Sequence, residues 1–207
     1  MKIPVIIISD WIVFYLKIIE PIREELNMNK NYFIYLVISL LGFLSGSCTN
    51  EQTTWKRELR QDINRLGHRN WIVVTDMAYP LQSQPGIKTL YTGESYLEIL
   101  SGVKDMIEKS PHIKANVFQD KELTFMEKSD ATGITGLRRK SLMILGEELQ
   151  YVPHEQLISR LDSISRVFNV IILKSNLTMP FTSTFFELDC RYWDETKQKE
   201  LDRRISQ

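Results

Sequence analysis

A short apolar segment, Trp71–Thr75 (WIVVT), constrains the fold of this chain more than any other part of its sequence. Turn-forming residues flank it, with Gly67–Asn70 before it and Asp76 and Pro80 after it. A run of this length between turns is typical of a strand that is buried on both faces of an α/β sheet. Such sheets bind ligands at the carboxyl ends of their strands. Asp76, which directly follows the segment, is therefore a candidate site residue.

Helical and extended patterns alternate along the rest of the chain. Helices are predicted where apolar residues recur at helical spacing, at 55–66, 96–110, 137–149 and 155–166. A more polar, charged helix is predicted from 194 onward. Further strands are predicted where short apolar runs occur, at 87–91, 113–118, 149–153, 168–173 and 184–188. This alternation predicts an α/β fold, a three-layer sandwich with a largely parallel or mixed sheet.

The composition disfavours several classes of function. Lys+Arg and Asp+Glu both number 26, so the formal net charge is zero and there is no basic excess for nucleic acid. Three histidines and two cysteines show no metal-ligand spacing. The sequence contains neither of the glycine-rich phosphate-binding motifs, GxGxxG and GxxxxGK[ST]. We therefore expect no nucleic-acid partner, no metal and no cofactor.

Residues 28–48 have the layout of an export signal. A short segment with Lys30 precedes the apolar residues 32–44, and small residues then precede Cys48. A cysteine at the cleavage point resembles a bacterial lipoprotein signal, although Ser45 stands where that pattern has leucine. The resemblance implies lipidation of Cys48 and a membrane-anchored protein on the periplasmic or surface side of the bacterial envelope. An uncleaved membrane anchor is one alternative, and a cytoplasmic location without export is another.

The remaining chain divides into two parts. Residues 1–27 include an apolar run that is interrupted by Asp10 and Lys17, which argues against a transmembrane helix. We interpret them as upstream sequence included by a misassigned start. Residues 49–207 are predicted to form a single α/β domain with a C-terminal extension from about residue 190.

Three motifs follow one another in an order that resembles a known family. Leu66–His68 precedes the buried strand, Asp76 ends it with Pro80 and Ser83 close behind, and His154–Gln156 follows a later strand. This order is similar to that of the D-ribose pyranase and L-fucose mutarotase family, which are small sugar isomerases without a cofactor. The resemblance extends from about residue 60 to about residue 188 and implies a pyranase/mutarotase-like fold.

The resemblance implies a reaction and the residues that perform it. Such enzymes interconvert ring forms or anomers of a reducing monosaccharide by opening and reclosing its hemiacetal. By family match His68 would move the proton, for which a histidine is suited by its ordinary pKa of about 6.5. Asp76 and His154 would contact the sugar. The resemblance also implies a homo-oligomer whose sites lie near the subunit contacts.

One segment departs from the family pattern. The family has a Tyr-x-Asn segment at the start of its last strand, and the corresponding residues here are Phe181 and Ser183. Phenylalanine keeps the ring without the hydroxyl, and serine lacks the carboxamide, but we expect both to contact the sugar. An alignment with Asn169 in the Asn role leaves too short a connection from His154. Two functions stay open: an active mutarotase or pyranase, and a catalytically inactive sugar-binding or scaffold lipoprotein.

Overall fold

The computed structural model describes residues 54–207, so Cys48, the signal-like segment and residues 1–27 lie outside the described residues. The described residues belong to one compact unit. The helices and strands of the described residues are, in chain order, α1 Thr54–Ile63, β1 Trp71–Thr75, β2 Ile87–Tyr91, α2 Tyr96–Glu108, β3 Ile113–Asp120, a 3₁₀ helix Lys121–Thr124, α3 Ile134–Leu145, β4 Gln150–Val152, α4 His154–Ile164, β5 Val170–Lys174, β6 Thr184–Cys190 and α5 Glu195–Ile205. None of the helices from residue 54 onward is long and apolar enough to cross a bilayer.

The six strands form one mixed sheet in the order β2-β5-β1-β6-β3-β4. Strand β6 is antiparallel to both of its neighbours, β1 and β3, and the other pairings are parallel. Five strands therefore run in one direction. Strands β1, β3, β4 and β5 end at one side of the sheet, and β6 begins there. We call this side the carboxyl edge and the opposite side the amino edge.

The side chains of β1 show why helices cover both faces of the sheet. Ile72 and Val74 belong to an apolar core with residues of α1 and α2, whereas Trp71 and Val73 belong to a second core with residues of α4. All four side chains are buried, as expected for a strand between two helical layers. The structure thus confirms the predicted α/β class with its mixed sheet and three layers.

Several element boundaries differ from those predicted. Strand β3 continues two residues beyond 118, because Gln119 pairs with Thr184 of β6 and Asp120 pairs with Val152 of β4. Apolar periodicity does not extend to these two residues, because both are polar although they are buried. Helix α3 begins at Ile134 rather than 137, after Gly133 adopts a left-handed conformation with φ of 92°.

A close backbone approach at Gly86 gives a test of the fold. A Cβ atom at this position would lie 2.4 Å from the carbonyl oxygen of Ser165 and 2.8 Å from that of Phe168. Gly86→Ala is therefore expected to lower the free energy of unfolding by about 1–3 kcal/mol, measured by chemical denaturation. Gly136 lies within α3, and a Cβ atom added there would meet no atom of another element within 4 Å. Gly136→Ala should therefore raise the free energy of unfolding by about 1 kcal/mol. Equal stabilities of the two variants would contradict the packing of β2 against the end of α4.

Candidate functional site

A cavity of about 670 Å³ lies at the carboxyl edge of the sheet. Its wall comprises the loop after β1, the first turns of α4 and the segment between β5 and β6. Four of the predicted site residues line it: Asp76, His154, Phe181 and Ser183. They come together because β1 and β4 end at this edge, whereas β6 begins there.

The loop after β1 is fixed at its first residues. The Asp76 carboxylate accepts a hydrogen bond from the backbone N–H of Ala78 at 2.6 Å, which forms a tight turn. The backbone N–H of Met77 donates to the carbonyl oxygen of Leu177 at 2.7 Å. Asp76 is thus held in the cavity wall, and within residues 54–207 its second carboxylate oxygen accepts no hydrogen bond, so it can accept one from a ligand.

A buried carboxylate that the sequence analysis missed lies behind His154. Asp120 is the last residue of β3 and is fully buried, and its Oδ1 lies 3.0 Å from His154 Nδ1. Its Oδ2 accepts a hydrogen bond from the backbone N–H of Ser183 at 3.3 Å. Because Nδ1 faces the carboxylate, we assign the imidazole proton to Nδ1. Nε2 is then the ring nitrogen that can accept a proton or a hydrogen bond from a ligand.

Two further contacts orient His154. Its backbone N–H, at the start of α4, donates to both carboxylate oxygens of Glu122 at 3.0 and 3.2 Å. The ring of Phe181 meets the imidazole edge-on, with 5.7 Å between centroids and 84° between planes. Phe181 adopts a left-handed backbone conformation with φ of 54°, which costs a residue other than glycine about 1–2 kcal/mol. His154 is therefore held by three contacts: at its backbone N–H, at its Nδ1 and at its ring, against Phe181.

The electrostatics of the pair suit proton transfer. The hydrogen bond that His154 Nδ1–H donates to the Asp120 carboxylate raises the pKa of His154 above its ordinary value, and partial burial opposes this shift. Burial raises the pKa of Asp120, and the hydrogen bond with His154 opposes that shift. A His154 cation would thus be stabilised by the adjacent carboxylate, so His154 is a stronger base than a free imidazole.

His68 lies elsewhere in the same chain. It precedes β1 at the amino edge and lines a different cavity, of about 430 Å³, with Asp189, Cys190 and Trp193. Strand β1, which is five residues and about 17 Å long, lies between His68 and Asp76. The structure therefore does not bring His68 and Asp76 to one ligand within a single chain, because residues before and after a strand lie at opposite edges. A catalytic role of His68 stays a prediction.

Asp120 lies at the carboxyl end of its strand, as Asp76 does, but the polar Gln119 precedes it, so the apolar pattern that pointed to Asp76 does not extend to Asp120. The prediction ended β3 at residue 118, so Asp120 was placed in a connection. Glu122 had no sequence signal, because its role depends on a helix start 32 residues away. Among residues 54–207, no group of three or more His, Cys, Asp or Glu side chains is arranged to hold a metal ion.

Comparison with known proteins gives similarity in structure only. No protein-family model and no curated protein sequence matches the chain. RbsD of Bacillus subtilis, solved as a complex with D-ribose, shares 14% identity, with 64% of this chain and 91% of that chain covered and a TM-score of 0.46. The fucose mutarotase of Streptococcus pneumoniae, solved with L-fucose, shares 16% identity, with 64% and 91% covered and a TM-score of 0.45.

FucU from Bifidobacterium longum shares 11% identity, with 64% of this chain and 94% of that chain covered and a TM-score of 0.41. A reaction for this chain has to be argued from its own cavity.

Proposed function

We propose that this protein is a cofactor-free isomerase of a reducing monosaccharide, which interconverts ring forms or anomers with His154 as the acid/base. The observation that carries the proposal is the His154–Asp120 pair in the wall of the carboxyl-edge cavity. The cavity volume falls within the range of about 300–1,000 Å³ that is usual for small-molecule sites. The order of sequence motifs suggests the substrate class.

The pair can perform the proton transfers that ring opening needs. Nε2 of His154 takes the proton of the anomeric hydroxyl while the bond between the anomeric carbon and the ring oxygen breaks. The ring oxygen then receives a proton from the imidazolium, and the open-chain aldehyde rotates. Attack by the same hydroxyl gives the other anomer, and attack by a different hydroxyl changes the ring size. Asp120 holds the tautomer and stabilises the imidazolium in between.

The other residues of the cavity would hold the sugar. The Asp76 carboxylate accepts hydrogen bonds from sugar hydroxyls, and Ser183 adds a hydroxyl beside the His154–Asp120 pair. Phe181 offers an apolar ring face. Within the described residues, no lysine or arginine side chain lines the cavity, whereas Asp76 and Glu155 both do. This charge pattern favours a neutral sugar over a sugar phosphate.

His68 can take part in the proposed reaction only if several copies of the chain assemble. A homo-oligomer in which the amino edge of one copy lies against the cavity of another would bring a second histidine to the sugar. The family resemblance supports such an assembly, with sites near subunit contacts. Variants with either histidine replaced would then complement each other when their subunits are mixed.

An envelope location through lipidated Cys48 is a further part of the proposal, supported by the export-signal layout of residues 28–48. Metabolic labelling with a radioactive fatty acid tests it: label should appear in the wild-type protein and disappear in Cys48→Ala. Absence of label from the wild-type protein would favour the uncleaved anchor or the cytoplasmic alternative.

The second candidate is a sugar-binding or scaffold protein without catalysis. It is favoured by Phe181, which brings no polar atom to the cavity. Titration of the 207-residue protein with neutral sugars, followed by NMR, separates the two. Binding accompanied by faster exchange between sugar forms supports the isomerase, and binding with unchanged exchange supports the rival.

A further inference from the structure

Two residues that line the cavity each carry a buried polar atom for which the described part of the chain offers no hydrogen-bond partner. The atoms are the Tyr79 hydroxyl and the Gln82 side-chain oxygen, both on the loop after β1 and both on residues that line the cavity. Among residues 54–207, neither atom has a protein partner. Tyr79 as a whole is 5% exposed. Buried polar groups in proteins are nearly always hydrogen-bonded, so each of these two needs an explanation.

The surroundings of Tyr79 make its hydroxyl a permanent donor. Burial raises the pKa of Tyr79 well above its usual value, and the charges of Asp162, Asp120 and Asp76 raise it further. The hydroxyl therefore keeps its proton at any physiological pH. It also lies within reach of the electrostatic field of Asp120 and Asp76, which are both part of the site.

The two atoms are complementary in type. The Tyr79 hydroxyl lacks an acceptor, and the Gln82 oxygen lacks a donor. A hydroxyl group of a ligand supplies both at once, because it accepts one hydrogen bond and donates another. A carboxylate or a phosphate would satisfy Tyr79 only, and it would meet the negative charges that surround the tyrosine.

We propose that Tyr79 and Gln82 form a specificity subsite that binds one hydroxyl group of a neutral sugar, with Tyr79 donating and Gln82 accepting. This inference rests on the proposed function, because it names contacts of the same cavity. It gives the loop after β1 a role beyond Asp76. Phe181 contributes a ring without a hydroxyl, and Tyr79 supplies a phenolic donor from another wall of the cavity.

The test is the isosteric variant Tyr79→Phe in the 207-residue protein, titrated with D-ribose and with L-fucose by NMR. Removal of the hydroxyl is expected to raise the Kd of the bound sugar about tenfold. Because no described residue is a hydrogen-bond partner of the hydroxyl, the same change should not lower the melting temperature. Gln82→Met should raise the Kd by a similar factor, through loss of the acceptor.

Two matched residues serve as controls. Tyr96 is also a buried tyrosine, but its hydroxyl lies 2.6 Å from Thr184 Oγ1 and accepts from Gln119 at 3.1 Å. Tyr96→Phe should lower the melting temperature and leave the Kd unchanged. Gln84 lies on the same loop, does not line the cavity, and accepts a hydrogen bond from Ser165 Oγ. Gln84→Met should behave like Tyr96→Phe.

The outcomes separate this inference from the proposed function. If wild-type protein and Tyr79→Phe bind a sugar with the same Kd, the subsite is overturned and the function stands. Tyr79→Phe could instead lower the melting temperature, as Tyr96→Phe does, and leave the Kd unchanged. In that case a water molecule or another part of the fold satisfies the hydroxyl, and the subsite is again overturned. If the wild-type protein binds neither sugar, both the function and the subsite are overturned.

Discussion

Replacement of His154 by asparagine is expected to lower kcat/KM for sugar ring exchange by about 10²–10⁴-fold, the usual contribution of a general acid/base. The asparagine amide can still donate to Asp120 where Nδ1 does now, so the buried carboxylate keeps a partner. The variant loses Nε2, the nitrogen assigned as the proton acceptor, and little else. Exchange NMR at a series of sugar concentrations gives kcat and KM separately, and kcat should carry most of the loss.

The same measurement on His68→Asn decides between the two histidines. A loss confined to His154→Asn supports catalysis within one chain. Equal losses, with activity restored when the two variants are mixed, support a site completed by His68 of a second copy. A full rate in His154→Asn, in a protein that melts like the wild type, would contradict the assignment of the acid/base.

Replacement of Asp120 by asparagine is expected to lower kcat by about 10²-fold and to move the pH profile. The base is the neutral form of His154, so the rate rises as the pH passes through the pKa of this histidine. In the wild type that pKa is raised by the Asp120 carboxylate, which places the midpoint of the rise above about pH 6.5. Asparagine removes the charge, so the midpoint should move to lower pH, and the plateau should fall because the imidazolium is less stabilised.

The pH profile distinguishes this role from a structural one. A purely structural Asp120 would lower the melting temperature of the variant and leave the midpoint of the profile where it is. A matched variant is Glu122→Gln, which removes another carboxylate near His154 but leaves Nδ1 with Asp120. Its midpoint should move less than that of Asp120→Asn. A larger shift for Glu122→Gln would contradict the account.

The sequence was most informative where a single segment determines its own environment. The run at Trp71–Thr75 predicted a strand buried on both faces, and its pairing with β5 and β6 confirms this. The rule that strand ends carry site residues selected Asp76, and the family resemblance selected His154; both residues line one cavity. The strand prediction was confirmed because the local pattern alone was sufficient, whereas the sugar-binding roles of Asp76 and His154 stay predictions.

The sequence was least informative where the site depends on the order of strands. Strand β6 lies between β1 and β3, and this order brings Ser183 next to Asp120 across 63 residues of sequence. The order cannot be derived from apolar periodicity, since each strand has the same pattern wherever it lies in the sheet. Tyr79 was likewise read as part of a loop, although it is buried in the apolar core beside Trp71.

The most direct test of the account is an exchange NMR experiment on D-ribose and L-fucose with the 207-residue protein. Magnetisation transfer between the signals of the ring forms and anomers is compared without protein, with wild-type protein and with His154→Asn. We expect faster transfer with the wild-type protein for at least one sugar, and the rate of the protein-free sample with His154→Asn. Transfer at the protein-free rate with folded wild-type protein for both sugars would contradict the proposed reaction and leave the sugar-binding alternative.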